Sequence, residues 1–225
     1  MTITRLTGIL LILLPIAFNL IFFLLQRAFE YPDILRRPTN YVLTRFQAGG
    51  RRLVALWYSF MLASLLFTPV AVLVPHVLAP GDTAYAAAMT TAGVLASLVQ
   101  FLGLIRWPFL VPYLARTYAD PESSPATRES VAVVFQAFHR YAGVAVGEHL
   151  GYLFTSAWTL LLAVALARSP LFGAWLGWVG LLPAAGILAG VFEESGFRPA
   201  GAINAISYIL WSLWLVAIGI WCLTL

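Results

Sequence analysis

The chain has 225 residues, of which 61% are hydrophobic and only 10% are charged, and its mean hydropathy is +0.89. A soluble domain carries about 25% charged residues, so this composition excludes a water-soluble globular protein. The net charge of +4 requires no nucleic-acid partner, because a bilayer with anionic headgroups attracts juxtamembrane arginines by about 1 kcal/mol each. We therefore predict a membrane protein that does not bind nucleic acid.

Six apolar stretches fill most of the chain, and each is long enough to cross a bilayer, which takes about 20 mostly apolar residues. They predict an all-α fold, in which residues 1–225 form one integral membrane domain, a polytopic transmembrane helical bundle. The predicted helices cover about residues 4–26, 51–76, 84–110, 129–167, 171–192 and 199–223.

The loop after the first helix is predicted to contain a short interfacial helix. Thr39 can cap one or two helical turns after Pro38, and these would end at Gly49-Gly50. The apolar residues and the arginine of Tyr41–Phe46 suit a helix that lies in the membrane interface. Two interpretations remain open for this loop, a linker seated on the membrane surface and a lid or partner-docking element.

The fourth helix is predicted to be too long for a single crossing. From Glu129 to Ala167 it would measure about 58 Å at 1.5 Å per residue, almost twice the ~30 Å hydrocarbon core. We expect the crossing near residues 144–167 and a bend at Gly143, with the first part of the helix along the interface. Thr127 or Ser130 is the predicted cap.

The arginines predict the orientation of the bundle. All 13 basic residues are arginines, and eleven of them belong to the first, third and fifth loops. Only Arg5 and Arg168 fall on the opposite side. The positive-inside rule therefore places these three loops in the cytoplasm and both termini outside it.

Polar residues within the apolar runs are the candidates for function, because burying them in a membrane is costly. In the predicted orientation all of them fall in the cytoplasmic half, which favours a polar cavity open to the cytoplasm. The ligand-binding candidates are Glu148, His149, Arg140, Asn19, Gln100 and Asn204.

Glu148 and His149 form the sharpest pair. Glu148 could carry a proton, bind a ligand or act as a catalytic acid or base, and the histidine beside it is a residue type that commonly takes part in acid–base chemistry. Arg140 lies about 80° around an ideal helix from Glu148, so the alternative is an ion pair that fixes the helices. The catalytic candidates are Glu148, His149, His139, Glu193 and Glu194.

Two sets of glycines predict close helix packing. Gly143, Gly147 and Gly151 are spaced by four residues, an interval that lets another helix approach closely. The fifth apolar stretch has similar pairs at Gly173–Gly177 and Gly186–Gly190. We expect these two ridges to pack on each other, which would bring Glu148 near the protein interior.

No cofactor or metal is predicted. The three histidines fall at different depths, so no two of them are level for a bis-histidine haem site. His139, His149, Glu193 and Glu194 lack the close histidine spacing of metal-binding motifs.

Two short motifs suggest an enzyme. Glu193–Arg198 fits the pattern E-E-x-x-x-R, and Phe135–His139 fits F-x-x-x-H. These patterns resemble the intramembrane prenyl-protein protease family, and the resemblance implies a glutamate- and histidine-dependent intramembrane enzyme. In that family the paired glutamates precede the histidine motifs, whereas here the order is reversed.

A broader resemblance lies in the C-terminal third. Trp175–Leu182, Ile203-Asn204 and Leu210–Leu215 resemble a large uncharacterised bacterial family of six-helix membrane proteins, known only as a domain of unknown function. The resemblance implies a multi-pass protein of the bacterial cytoplasmic (inner) membrane and no activity. The N-terminal half departs from the family pattern.

Taken together, these features favour a non-enzymatic protein that binds a small molecule or lipid, or acts as an accessory subunit, through its cytoplasmic-side cavity. Its partner would be a hydrophobic ligand, a membrane protein or a second copy of the chain. The alternatives are a small proton-coupled transporter that uses Glu148 and the protease-like enzyme. Against the transporter, the sequence shows no inverted repeat of the kind that is common in transporter folds.

Overall fold

The computed structural model describes residues 2–78 and 81–225, and in these residues the protein consists of helices and connecting turns. Six of its helices are long and apolar enough to cross a membrane, which confirms the predicted polytopic helical bundle. In chain order, spans 1 to 6 are Ile3–Phe29, Thr39–Leu78, Thr83–Ala119, Pro125–Arg168, Ala174–Phe192 and Ala200–Thr224.

The predicted interfacial helix of the first loop is present and forms the first part of span 2, before a kink. A 3₁₀ turn at Asp33–Arg36 precedes it, and the helix begins at Thr39, with Pro38 at the cap position. At Gly50 the backbone is non-helical (φ 55°, ψ −151°), and the helix continues beyond this kink. Two helices therefore join at Gly50. The interfacial helix ends at Gly49-Gly50 as predicted, and the crossing helix follows from about residue 51.

Spans 3 and 4 are longer than predicted. Span 3 has helical pieces at Thr83–Leu104, Arg106–Phe109 and Val111–Ala119 and so ends at Ala119 rather than near residue 110. Span 4 begins at Pro125 rather than Glu129. Its cap is Ser124, whose side chain accepts a hydrogen bond from the Thr127 backbone nitrogen at 3.1 Å. Serine at the cap followed by proline at the first helical position is a favoured helix start.

The most extensive contacts are between spans that are neighbours in chain order and between the first and last spans. At that contact Gly8 of span 1 faces Gly219 of span 6, and a Cβ on Gly8 would lie 2.8 Å from the Gly219 carbonyl oxygen. Small residues at such a crossing let two backbones approach closely. The six spans therefore close into a single bundle.

The core consists of two apolar clusters. In the first, which joins residues from all six spans, Phe67 packs edge-to-face on Trp158 and Trp211, with ring centroids 4.8 and 5.6 Å away. In the second, Trp57 and Trp107 stack at 4.4 Å, with 9° between the ring planes. The second cluster holds spans 1 to 4 together beside the first loop.

The predicted pairing of the two glycine ridges is wrong. Gly147 of span 4 packs on Gly103 of span 3. A Cβ added to Gly103 would lie 2.5 Å from the Gly147 Cα. In span 5, a Cβ on Gly177 would meet the Ala167 backbone nitrogen of span 4 at 2.6 Å. Glycines spaced by four indicate that a helix will approach closely, but any smooth helix face can be the partner.

Candidate functional site

Span 4 contains a π-helical segment where the sequence candidates lie. The 12 residues His139–Leu150 form this segment between two α-helical parts of the span. It includes Gly143, where a bend was expected, and the helix continues through that residue. Segments of π-helix are rare and occur frequently at functional sites, so this segment marks the place to look for one.

A small polar cavity, which we call the carboxylate pocket, lies between this segment and the end of span 5. Its volume is about 40 Å³, enough for one or two water molecules or a small charged group but not for a whole substrate. Four of the five catalytic candidates line it, and His139 does not. The lining residues are Val144, Glu148, His149, Tyr152, Gly190, Val191, Glu193 and Glu194.

Glu148 lies half-buried in this pocket without a contacting counter-ion. In the described part of the chain the ion pairs within 4.0 Å join other side chains, and none reaches Glu148. The predicted alternative, an ion pair with Arg140, is therefore not formed, and Arg140 is exposed. More distant charges, among them Arg106 and Glu193, still act on Glu148 electrostatically. Its carboxylate is free to bind a ligand.

Arg106 is a buried charge that the sequence analysis had placed in the third loop. It lies within span 3 and is 8% exposed, and its guanidinium donates a hydrogen bond to the Gly103 carbonyl. The guanidinium fills the space left by the missing side chain of Gly143 and lies 5.2 Å from the Trp107 ring centroid. The apolar residues on both sides of Arg106 were the signal that could have located it.

A stripe of polar side chains continues from the pocket along span 4. Tyr152, Thr155 and Thr159 follow Glu148 at intervals of four, three and four residues, which places them on one helix face. The Gln100 amide donates to the Thr155 hydroxyl at 3.1 Å, and the Trp211 indole donates to the Thr159 hydroxyl at 2.8 Å. Sequence reasoning missed this stripe because isolated threonines and tyrosines do not interrupt an apolar run.

The three carboxamides predicted to bind a ligand instead join helices. Gln100 bonds to span 4 as described, and Asn204 of span 6 donates to the Ile187 carbonyl of span 5 at 3.0 Å. Asn19 of span 1 donates to the Ser212 hydroxyl of span 6 at 2.9 Å. None of the three lines the carboxylate pocket. Each amide donates one hydrogen bond to another span, which lowers the cost of placing it among apolar helices.

An apolar groove of about 400 Å³ lies between spans 5 and 6. Two of its residues, Leu182 and Ile206, are 65% and 59% exposed, so the groove faces the side that lipid chains occupy in a membrane. The groove is lined by Leu182, Ala185, Gly186, Ala189, Ile203, Ile206, Ser207 and Leu210.

Glu193 lines the pocket and lies near the groove without lining it. Its carboxylate lines the pocket and also lies against the first turn of span 6, where a Cβ on Gly201 would be 3.1 Å from Glu193 Oε1. The groove begins two residues further on, at Ile203. On span 5, Ala189 lines the groove and the next residue, Gly190, lines the pocket. Both cavities therefore lie toward the same end of spans 5 and 6.

The first loop reaches the pocket through one side chain. Arg36 Nη2 lies 3.5 Å from Glu193 Oε1. Near its start the loop is anchored by Tyr31, whose ring lies 5.1 Å from that of Trp57, and by Glu30, which accepts hydrogen bonds from Tyr41 and Arg45. The loop is thus held in place beside the pocket.

The two protease-like motifs are not brought to one pocket. His139 stacks on Phe135 at 5.9 Å and is not among the residues that line the pocket with Glu193 and Glu194. Across residues 2–78 and 81–225, no group of three or more His, Cys, Asp and Glu side chains is arranged to hold a metal ion.

A family model described as Domain of unknown function (DUF4386) matches residues 6–222. The match includes the N-terminal half, where the sequence analysis saw a departure from the family pattern. No curated protein and no solved structure matches the chain. Because the model covers nearly the whole sequence, the chain belongs to the family of the Domain of unknown function (DUF4386).

Proposed function

We propose that this protein binds a lipid-like, amphipathic molecule in the membrane, with the apolar chain in the groove and the polar headgroup at the carboxylate pocket. The observation that carries this proposal is the position of Glu193, whose carboxylate lines the pocket and lies against the first turn of span 6, the helix that forms one wall of the groove. A molecule with one apolar and one polar end matches such a pair of cavities.

The sizes of the two cavities support this division of the ligand. The groove, at about 400 Å³, falls within the ~300–1,000 Å³ range of ligand sites. The pocket, at about 40 Å³, has room only for headgroup atoms and water. In a bilayer a chain in the groove gains little from the hydrophobic effect, because lipid tails are equally apolar. Selectivity would therefore come from the headgroup.

The arginine distribution supports a cytoplasmic location for the pocket. Arg36 and Arg198 belong to the loops on the arginine-rich side, as do the two glutamates at the end of span 5. By the positive-inside rule this side is the cytoplasm and both termini lie outside. The bacterial inner membrane is the location that the family resemblance implies.

Native mass spectrometry of the gently solubilised protein tests this function. We expect one bound molecule of fixed, lipid-like mass in protein from its own host. Ala185→Trp fills the groove from an exposed position, so we expect it to lower the occupancy to about a tenth, equivalent to ~1.4 kcal/mol. Leu188→Trp is the matched control, because Leu188 is also exposed on span 5 but does not line the groove.

Four outcomes would contradict the proposal. The first is protein that carries no small molecule, and the second is a ligand that both tryptophan variants retain equally. The third is a stoichiometric protein partner in place of a ligand, which would favour an accessory subunit. The fourth is a homo-oligomer without a bound molecule, which would indicate that a second copy of the chain covers the groove.

A further inference from the structure

We infer that the headgroup recognised at the carboxylate pocket is cationic, an ammonium group, and that Arg36 occupies its place until the ligand binds. This inference rests on the proposed function and names the class of ligand. The geometry behind it is the convergence of three carboxylates on one small cavity, with the chain's own guanidinium at its edge.

The charge of the pocket selects a cation. Glu148, Glu193 and Glu194 line it together with His149, and of the three carboxylates Arg36 contacts only that of Glu193. The buried arginine, Arg106, does not line the pocket, because its guanidinium packs on Gly143 and bonds to the Gly103 carbonyl. An anionic headgroup would be repelled by the carboxylates, and a neutral one would leave their charge uncompensated at a site with little room for water.

Arg36 behaves as a displaceable occupant of this site. Its Nη2 atom lies 3.5 Å from Glu193 Oε1, and its side chain is 68% exposed. It also lies 3.5 Å from Asp33, so an alternative carboxylate is available to it when it leaves Glu193. Ion pairs this exposed are weak. An ammonium group held by an apolar chain in the groove can therefore replace it.

The test uses three photoreactive amphiphiles that share one 16-carbon diazirine chain and end in an amine, an alcohol or a carboxylate. The full-length protein is placed in lipid nanodiscs with each probe and irradiated, and crosslinks to residues 182–210 are counted by peptide mass spectrometry. At pH 7 the amine is protonated. We expect the amine to label this region about fivefold or more above the alcohol, and the carboxylate to label it least.

Two substitutions and a control test which side chains cause the preference for the amine probe. Glu193→Gln should remove most of the preference for the amine. Arg36→Ala should increase amine labelling about two- to fivefold, which corresponds to ~0.4–1 kcal/mol. Arg37→Ala is the matched control, because the Arg37 guanidinium lies over the Tyr41 ring at 6.0 Å and forms no ion pair within the described residues.

The outcomes separate the two proposals. If all three probes label residues 182–210 equally, the protein binds amphiphiles but the cationic headgroup is wrong. If none of them labels this region, the proposed function fails, and the inference fails with it. Equal amine labelling of the Arg36→Ala and Arg37→Ala variants would overturn the role of Arg36.

Discussion

Gly147 of span 4 lies directly against Gly103 of span 3, so closely that a Cβ on Gly103 would be 2.5 Å from the Gly147 Cα. This contact holds the π-helical segment of span 4 against span 3, at the residue before Glu148. Because Arg106 fills the space at Gly143 one turn away, the same helix face accommodates a buried charge. The depth and direction of Glu148 therefore depend on two glycines that carry no chemistry themselves.

Gly103→Leu should destabilise the protein, because a larger side chain at this contact must push spans 3 and 4 apart. Overpacking of this kind costs about 1–3 kcal/mol, so we expect a lower unfolding temperature in detergent. The control is Ala145→Leu, which adds an apolar side chain at an exposed position of the same π-helical segment. Equal unfolding temperatures for the two variants would show that the close approach is not required.

Arg106→Met tests whether the buried arginine contributes to stability. Its guanidinium has a backbone partner, the Gly103 carbonyl, but no carboxylate within 4.0 Å in the described residues. Replacing a poorly paired buried charge by an apolar side chain of similar size is often neutral or stabilising, by about 1–4 kcal/mol. We expect an unchanged or higher unfolding temperature in detergent. A marked loss of stability would mean that Arg106 pairs with Glu148 in the native membrane.

Several features of the fold followed from the sequence for clear physical reasons. Six apolar stretches required six crossings, and the length of the fourth exceeded the bilayer core, so an extended helix had to result. The kink at Gly50 was visible as a Gly-Gly pair. Helix ends were less certain, because the polar residues near Glu129 allow several caps and only Ser124 is used.

The candidate site was only partly predictable. Glu148, His149, Glu193 and Glu194 stood out because charges are rare in apolar runs, and the fold brings them to one cavity. Arg36 at that cavity was not predictable, because its approach to Glu193 depends on how the first loop packs around Tyr31. The inter-span contact of Asn19 was not predictable either, since its hydrogen-bond partner is 193 residues away on span 6.

Glu148→Gln should leave the fold intact while weakening the binding of a cationic probe. The carboxylate makes no ion pair within the described residues, so removing its charge breaks no contact that holds the helices together. We expect expression and unfolding temperature close to those of the parent, and reduced crosslinking of the amine probe. Loss of expression would instead indicate a structural role.

The same variant also bears on the transporter alternative. A proton-coupled transporter would need a polar route through the membrane, and the stripe that begins at Glu148 reaches Thr159. Beyond it, Leu162 and Leu166 are fully buried in the apolar core. If Glu148→Gln abolished pH-driven uptake in proteoliposomes, the protein would have to open this apolar layer during transport.

Cysteine labelling tests the orientation of the bundle, on which the cytoplasmic location of the pocket depends. The native thiol, Cys222, is 1% exposed and is replaced by alanine to give a thiol-free background. Glu122→Cys places an exposed thiol between spans 3 and 4, and Ala84→Cys places one at the start of span 3, on the opposite side. In intact cells, a membrane-impermeant maleimide should label the cysteine at position 84 and not the one at 122. Both should react after the cells are permeabilised, which shows that each thiol is accessible.

The reverse pattern in intact cells would place the arginine-rich loops outside, against the positive-inside rule. The carboxylates would then face the cell exterior, and a ligand would reach them from that side.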